Sequence, residues 1–225
     1  IKTLIDNVML EQMRLREAEL EILQMQINPH FLYNTLDTIV WLAEAGQKEQ
    51  VVSMVQTLSD FFRASLNSGK DIVSLEGECR HITSYLQIQQ VRYQDILTYD
   101  VDIPEEIANC KIPKITLQPL VENAIVHGLE PKKGKGHLII QIIEGDDQML
   151  EICIIDDGIG FEVIPDIQSI RHSEKDSHTH IGMKNLDKRL KLLYGSDSGI
   201  KITSLPNKCT TVSFHIPRKE FSHDI

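Results

Sequence analysis

Residues 51–66 carry Val51, Val55, Leu58, Phe62 and Leu66 on one helical stripe. The segment before it is helical too, through Asn34, Leu36, Ile39, Val40 and Leu42 to Ala45, and Gly46 supplies its stop. Two amphipathic helices joined by so short a turn form a hairpin. One hairpin cannot enclose a core, whereas two hairpins make a four-helix bundle. The start of the chain is therefore expected to pair with a second copy. Further upstream, Leu4, Val8, Leu15, Ala18, Ile22 and Met25 fall on alternating three- and four-residue steps, with Glu11 interrupting. Such a heptad seam buries itself against a partner helix, the alternative being one amphipathic helix packed on its own domain.

The pattern changes after the turn Asn67-Ser68-Gly69-Lys70, which predicts a boundary between residues 1–70 and 71–225. Beyond it the spacing predicts a helix over Leu75 to Arg92, a strand over Leu97 to Ile103 and a helix opened by Pro113 and running to about His127. Strands follow at His137 to Glu144 and Met149 to Ile155, separated by the turn residues Gly145, Asp146 and Asp147. Asp156 to His180 is polar and reads as a long loop, a kind of segment that is usually functional inside a compact domain. A helix over Ile181 to Tyr194 and a hairpin of Gly199–Leu205 with Thr210–Ile216 complete the chain. The fold class is α+β: a helical hairpin forming a dimeric bundle, then an α/β two-layer sandwich with a mixed sheet.

Composition excludes several classes of function. With 225 residues, 41% hydrophobic and 25% charged, the chain is globular and not disordered. Its net charge of −10 and pI near 5.3 argue against nucleic acid as a partner. No apolar run approaches the roughly 20 residues that span a bilayer. No signal peptide is visible, and the opening at Ile1 with no Met suggests a fragment, so a span upstream stays open. Cys79, Cys110, Cys153 and Cys209 are scattered without a CxxC pair, so reduced thiols are expected.

Four segments carry chemistry. In Leu117-Gln118-Pro119-Leu120-Val121-Glu122-Asn123-Ala124-Ile125-Val126-His127-Gly128, Glu122 and Asn123 interrupt an apolar helical face, with His127 one turn after Asn123. Burying a carboxylate and an amide is costly without a partner, and a hydrated Mg²⁺ carrying nucleotide phosphates is one; a polar helix end facing water is the other reading. In Ile154-Ile155-Asp156-Asp157-Gly158-Ile159-Gly160-Phe161 a strand ends in D-x-G-x-G. Its glycines allow close backbone approach to a ligand, and Asp156 can accept from an exocyclic amine, although a plain tight turn fits the pattern as well.

His178-Thr179-His180-Ile181-Gly182-Met183-Lys184-Asn185 enters a helix whose free N–H groups suit phosphate, with Lys184, Lys188 and Arg189 adding positive charge. His172, His178 and His180 have no ligand spacing and read as solvated loop histidines. Last, Asn28-Pro29-His30-Phe31-Leu32-Tyr33-Asn34 lies in the first long helix, where a proline costs about 3 kcal/mol and kinks it. His30 reads either as a working residue or as a bundle-surface histidine, with Asn34 one turn on and able to orient its ring.

Taken in this order, the segments resemble a bacterial two-component sensor histidine kinase, most closely the LytS/YesM-like subgroup. NPHFLYNTLD resembles its phosphoacceptor box, LQPLVENAIVHGL its N box, DDGIG its first glycine box and HIGMKNLDKRL its second. The resemblance covers nearly all of residues 1–220 and implies a Bergerat-type (GHKL) ATP-binding domain over 71–225. Over 1–70 it implies a signalling helix with dimerisation and histidine-phosphotransfer helices. It implies that His30 accepts the phosphoryl group, that Asn123 coordinates Mg²⁺ with Glu122 beside it, and that Asp156 binds the adenine amine. Gly158 and Gly160 would floor the base pocket, 161–180 would form the ATP lid, and His127, Gly182, Lys184 and Asn185 would meet the nucleotide. The implied partners are a second copy through the N-terminal helices, a response-regulator aspartate and an upstream membrane sensor, so this would be the cytoplasmic region of an inner- or plasma-membrane protein.

Two departures stand out. His180 occupies the place where the family's second glycine box begins G-x-G, which would crowd the triphosphate or stiffen the lid. Phe31 follows His30 where many other kinase groups have an acidic residue, so the base is unidentified and Glu122 is the candidate. The alternatives are a GHKL-type ATPase, with Glu122 activating water, and a catalytically weakened dimeric pseudokinase scaffold.

Overall fold

The computed structural model describes residues 29–66, 71–145, 148–162 and 177–219. Helix α1 spans Pro29–Glu44 and α2 spans Lys48–Leu66. Gly46 takes φ +73 between them, a left-handed value that glycine adopts without a Cβ penalty. Its N–H donates to the Ala43 carbonyl at 3.0 Å, and the Gln47 N–H donates to Leu42 at 2.9 Å. These two bonds close α1 as a Schellman motif. The expected seam at 4–25, Asn28 and the kink ahead of Pro29 lie outside the described residues.

Along α2 the buried row is Met54, Phe61 and Ser65. The expected stripe is offset from it by one position: Val51, Leu58 and Phe62 are half-buried and Val55 is exposed. Apolar residues occupy more than one side of this helix, and spacing alone does not tell which side the same chain covers. The chain divides into two compact units, one ending at Val55 and the other beginning at Gln56, so α2 contributes to both.

In the second unit, strand β1 (Ile72–Ser74) leads into helix α3 (Leu75–Tyr93), whose first turn is capped by the Ser74 hydroxyl accepting from the Gly77 N–H at 3.1 Å. Strand β2 covers Leu97–Asp102, and β3 (Lys111–Pro113) pairs antiparallel with β1. Helix α4 covers Gln118–Asn123 and continues through a wider π-helical stretch, Ala124–Leu129. Strands β4 (Gly136–Glu144) and β5 (Met149–Asp156), helix α5 (Ser177–Tyr194) and strands β6 (Lys201–Leu205) and β7 (Cys209–Pro217) follow.

The five-stranded sheet has the order β2-β4-β5-β7-β6, with β2 parallel to β4 and every other pair antiparallel. The two-residue period of a strand sets its inward face. Leu138, Ile140 and Ile142 of β4 are buried, as are Leu150, Ile152 and Ile154 of β5 and Val212, Phe214 and Ile216 of β7. With α3 supplying Ile82, Leu86 and Ile88 and α4 supplying Leu120 and Val121, the result is the expected two-layer sandwich.

Two local expectations are corrected. Pro113 does not open a helix; it ends β3, and Ile115 then takes φ +56 before α4 begins at Gln118. The long loop does not reach His180, because α5 begins at Ser177. The β1–β3 pairing was not foreseen, since three-residue strands are too short to show a period.

Candidate active site

The period that builds the β5 core places Asp156 as the last inward residue of that strand. Its carboxylate is consequently buried, 3% exposed. Burial pushes its pKa up to about 6; the Gly158 N–H, donating to Oδ1 at 3.0 Å, and Lys132 oppose the rise, while Asp157 adds to it. Across the β5–β7 ladder Asp156 pairs with Thr210, which is buried and lies 3.1 Å from the Ser204 hydroxyl.

The backbone around this carboxylate leaves no room for side chains. A Cβ at Gly128 would overlap the Asp156 carboxylate, and one at Gly158 would overlap the Gly128 carbonyl. Gly160 has φ +62, and its Cβ would run into the Leu205 carbonyl. The Ile159 N–H donates to the Gly128 carbonyl at 3.0 Å, tying the end of α4 to the D-x-G-x-G turn. Asp157 points the other way, accepting from the His137 N–H at 2.7 Å and pairing with Lys132 Nζ at 2.8 Å. The structure thus brings Gly158 and Gly160 to the turn after Asp156 and places Gly128 and Lys132 beside it. Gly128 lies in the π-helical stretch, and its contact with Asp156 joins residues that no local sequence pattern brings together.

On α4, Asn123 is buried and Glu122 half-buried. Burial holds the Glu122 carboxyl above its usual range, opposed by a hydrogen bond from Gln118 Nε2 to Oε1 at 2.8 Å. The two side chains offer oxygen donors, an amide and a carboxylate, of the kind Mg²⁺ prefers. His127 is half-buried on the π-helical stretch. Among the described residues no cluster of three or more His, Cys, Asp or Glu could hold a metal by itself, so a cation here would draw further oxygens from its ligand.

The residues expected near phosphate are less uniform. Gly182 packs against the start of α4, where a Cβ would come within 3.3 Å of Pro119 Cβ. Lys184 and Asn185 are exposed on α5. Arg189, counted with the positive charges of that helix, turns inward instead, donating to the Lys114 carbonyl at 2.6 Å and to Thr116 Oγ1 at 3.0 Å. The His180 side chain lies outside the described residues.

A buried carboxylate missed at the sequence level organises this corner. Glu78 of α3 accepts the N–H groups of Ile115, Thr116 and Leu117 at 3.0, 2.6 and 2.9 Å. These bonds hold the turn that leads into α4, whose N-cap residue Leu117 makes no side-chain cap.

In the first unit, His30 is exposed on the first turn of α1. Asn34 Nδ2 lies 3.2 Å from its Nδ1 and 3.1 Å from its Nε2. Asn34 therefore reaches the ring, as its i+4 spacing predicts.

The histidine kinase family model matches residues 18–97, and that of the histidine kinase-, DNA gyrase B- and HSP90-like ATPases matches 112–220. The chain is 37% identical over 217 residues to the sensor histidine kinase YesM of Bacillus subtilis, covering 96% of this chain and 36% of that protein. The chain belongs to the sensor histidine kinase family. The sensor histidine kinase BtsS of Escherichia coli is 35% identical over 207 residues, covering 92% of this chain and 34% of that one. The sensor protein LytS of Oceanobacillus iheyensis is 36% identical over 207 residues, covering 90% and 35%. This kinase chain spans about a third of the length of these relatives. Its second family match implies ATP binding. Among its described residues no helix is long and apolar enough to cross a membrane.

Proposed function

We propose that this kinase region binds ATP with Mg²⁺, transfers the γ-phosphoryl group to His30 and then passes it to an aspartate of a response regulator. The observation that carries the reading is the buried Asp156 carboxylate, seated on Gly128 and Gly158 where no side chain fits. Such a carboxylate accepts from the exocyclic amine of adenine, and the bare backbone of Gly158 and Gly160 lets the base lie close. His127, Gly182, Lys184 and Asn185 serve the phosphate side, with the N-terminal end of α5 contributing its dipole. Asn123 and Glu122 would hold the Mg²⁺, which neutralises charge on the phosphate oxygens.

In the transfer, a ring nitrogen of His30 forms a bond to the γ-phosphorus as the bond to the β,γ-bridging oxygen breaks. ADP leaves with that electron pair, and the ring gives up its N–H proton. Asn34 orients the ring. Phosphoryl transfer is largely positioning with charge neutralisation, so these residues suffice in kind.

The domain roles follow: 1–70 for signalling, dimerisation and phosphotransfer, 71–225 for ATP. Leu36, Val40, Trp41, Val52 and Val55 are exposed on α1 and α2. So much apolar surface on one hairpin supports a homodimer through these helices. The sensor would lie upstream in the membrane, with this region in the cytoplasm.

Incubation with γ-labelled ATP and Mg²⁺ tests the reading. Acid-labile label lost in His30→Gln is the expected result. Phosphate release without label would point to a hydrolytic ATPase, and neither product with dimerisation intact to a pseudokinase scaffold; either would overturn it.

A further inference from the structure

The nucleotide reading leaves a row of buried polar side chains unused. Ser65 of α2, His81 of α3 and Gln118 of α4 are 4%, 3% and 7% exposed. The His81 ring stacks on Phe61 of α2, with centroids 4.6 Å apart and 21° between planes. Its Nδ1 lies 3.4 Å from Ser65 Oγ, which itself donates to the Phe61 carbonyl at 2.9 Å. Its Nε2 lies 2.9 Å from Gln118 Oε1, and Gln118 Nε2 donates to Glu122 Oε1 at 2.8 Å.

The direction of this row follows from its chemistry. Gln118 donates through its NH₂ to Glu122, so its Oε1 faces His81. His81 Nε2 therefore carries the hydrogen, and Nδ1 shares the one Ser65 hydroxyl hydrogen with the Phe61 carbonyl. A glutamine amide alone can swing about its last torsion. Here a ring gripped by Phe61 and Ser65 removes that freedom. An apolar residue at 81 would fill the same space against Phe61, and burying two ring nitrogens is costly unless both are used.

We propose that His81 and Gln118 are positioning residues that fix the Glu122 carboxylate beside Asn123 and tie its orientation to the last turns of α2. What Glu122 does once positioned rests on the kinase reading; that it is held this way does not. A displacement of α2 near Phe61 and Ser65 would thus reach the phosphate end of the site through three hydrogen-bonding side chains.

The test uses the intact chain and two readouts. Side-chain amide NMR, with Gln118→Met assigning the Gln118 pair, follows solvent exchange. His81→Phe keeps the stack on Phe61 and removes both nitrogens; it is expected to speed Gln118 amide exchange by about tenfold or more as the amide loses its anchor. It is also expected to slow His30 phosphorylation by about tenfold with nucleotide affinity held within about twofold. In a Glu122→Gln background the same change should alter the rate by less than about twofold, because the carboxylate being positioned is gone. A merely structural role would lower both backgrounds alike.

Unchanged Gln118 exchange in folded His81→Phe, or equal losses in both backgrounds, would overturn the proposal. If the unaltered chain never phosphorylates His30, the kinase reading falls and the exchange measurement alone decides the positioning. Should His81→Phe not fold, Ser65→Ala replaces it in the exchange measurement and Gln118→Met in the rate cycle.

Discussion

Asp156 is held in tension between stability and binding. A carboxyl whose folded pKa is raised from 3.8 to about 6 stabilises the ligand-free fold when protonated. That contribution is complete below about pH 4 and lost as pH rises through about 6. Asp156→Asn should therefore stabilise the ligand-free protein near pH 7 by roughly 1–3 kcal/mol, read as a higher Tm, while nucleotide affinity collapses. Binding has the opposite sign. On the proposed reading the adenine amine needs the ionised acceptor, so affinity for ATP should fall progressively below about pH 6 by calorimetry, and the limb due to this residue should vanish in Asp156→Asn. Gly128→Ala should abolish nucleotide binding outright, because its Cβ occupies the carboxylate's position; equilibrium binding of a fluorescent ATP analogue reads this directly. Asp156, Gly158 and Gly160 were legible because a strand period and two glycines coincide. Lys132 was not: its pairing with Asp157 joins residues that only the β4–β5 ladder brings close.

At the scale of elements, the turn 114–117 governs where α4 begins. It holds Ile115 at φ +56, a costly value for a β-branched residue, and Glu78 keeps it there by accepting three consecutive N–H groups. Glu78→Ala would strand those donors in the interior and should cost about 3–5 kcal/mol, measured by urea denaturation. Glu78→Gln keeps an acceptor oxygen and should cost less. Periodicity delivered α3, β4, β5 and β7 nearly to the residue, since each is long enough to show its period. It failed at Pro113, where a residue that often opens helices instead ends a short strand, and at the π-helical stretch, whose wider turn has no spacing signature. The carboxylate that braces the turn before α4 lies 37 to 39 positions upstream, beyond any local pattern.

On the scale of the whole molecule, the hairpin exposes what the sandwich hides. Val40→Asp combined with Val55→Asp should convert a dimer to a monomer by light scattering, with the Tm of the Gln56-onward unit little changed, because both side chains are already exposed within one chain. The sequence leads one to expect a second copy, since one hairpin cannot enclose a core, and the exposed apolar residues of α1 and α2 support that reading. Which side of α2 its own chain covers was not, because that depends on contacts distant in sequence.

The exposed imidazole of His30 is the proposed acceptor of the phosphoryl group. Mass mapping of the chain after incubation with Mg-ATP at neutral pH, under conditions that preserve phosphohistidine, tests it most directly. A single phosphoryl group on the peptide carrying His30, absent from His30→Gln and from Asp156→Asn, is the predicted result. A phosphoryl group on another residue, or none on a chain that still binds ATP, would contradict it.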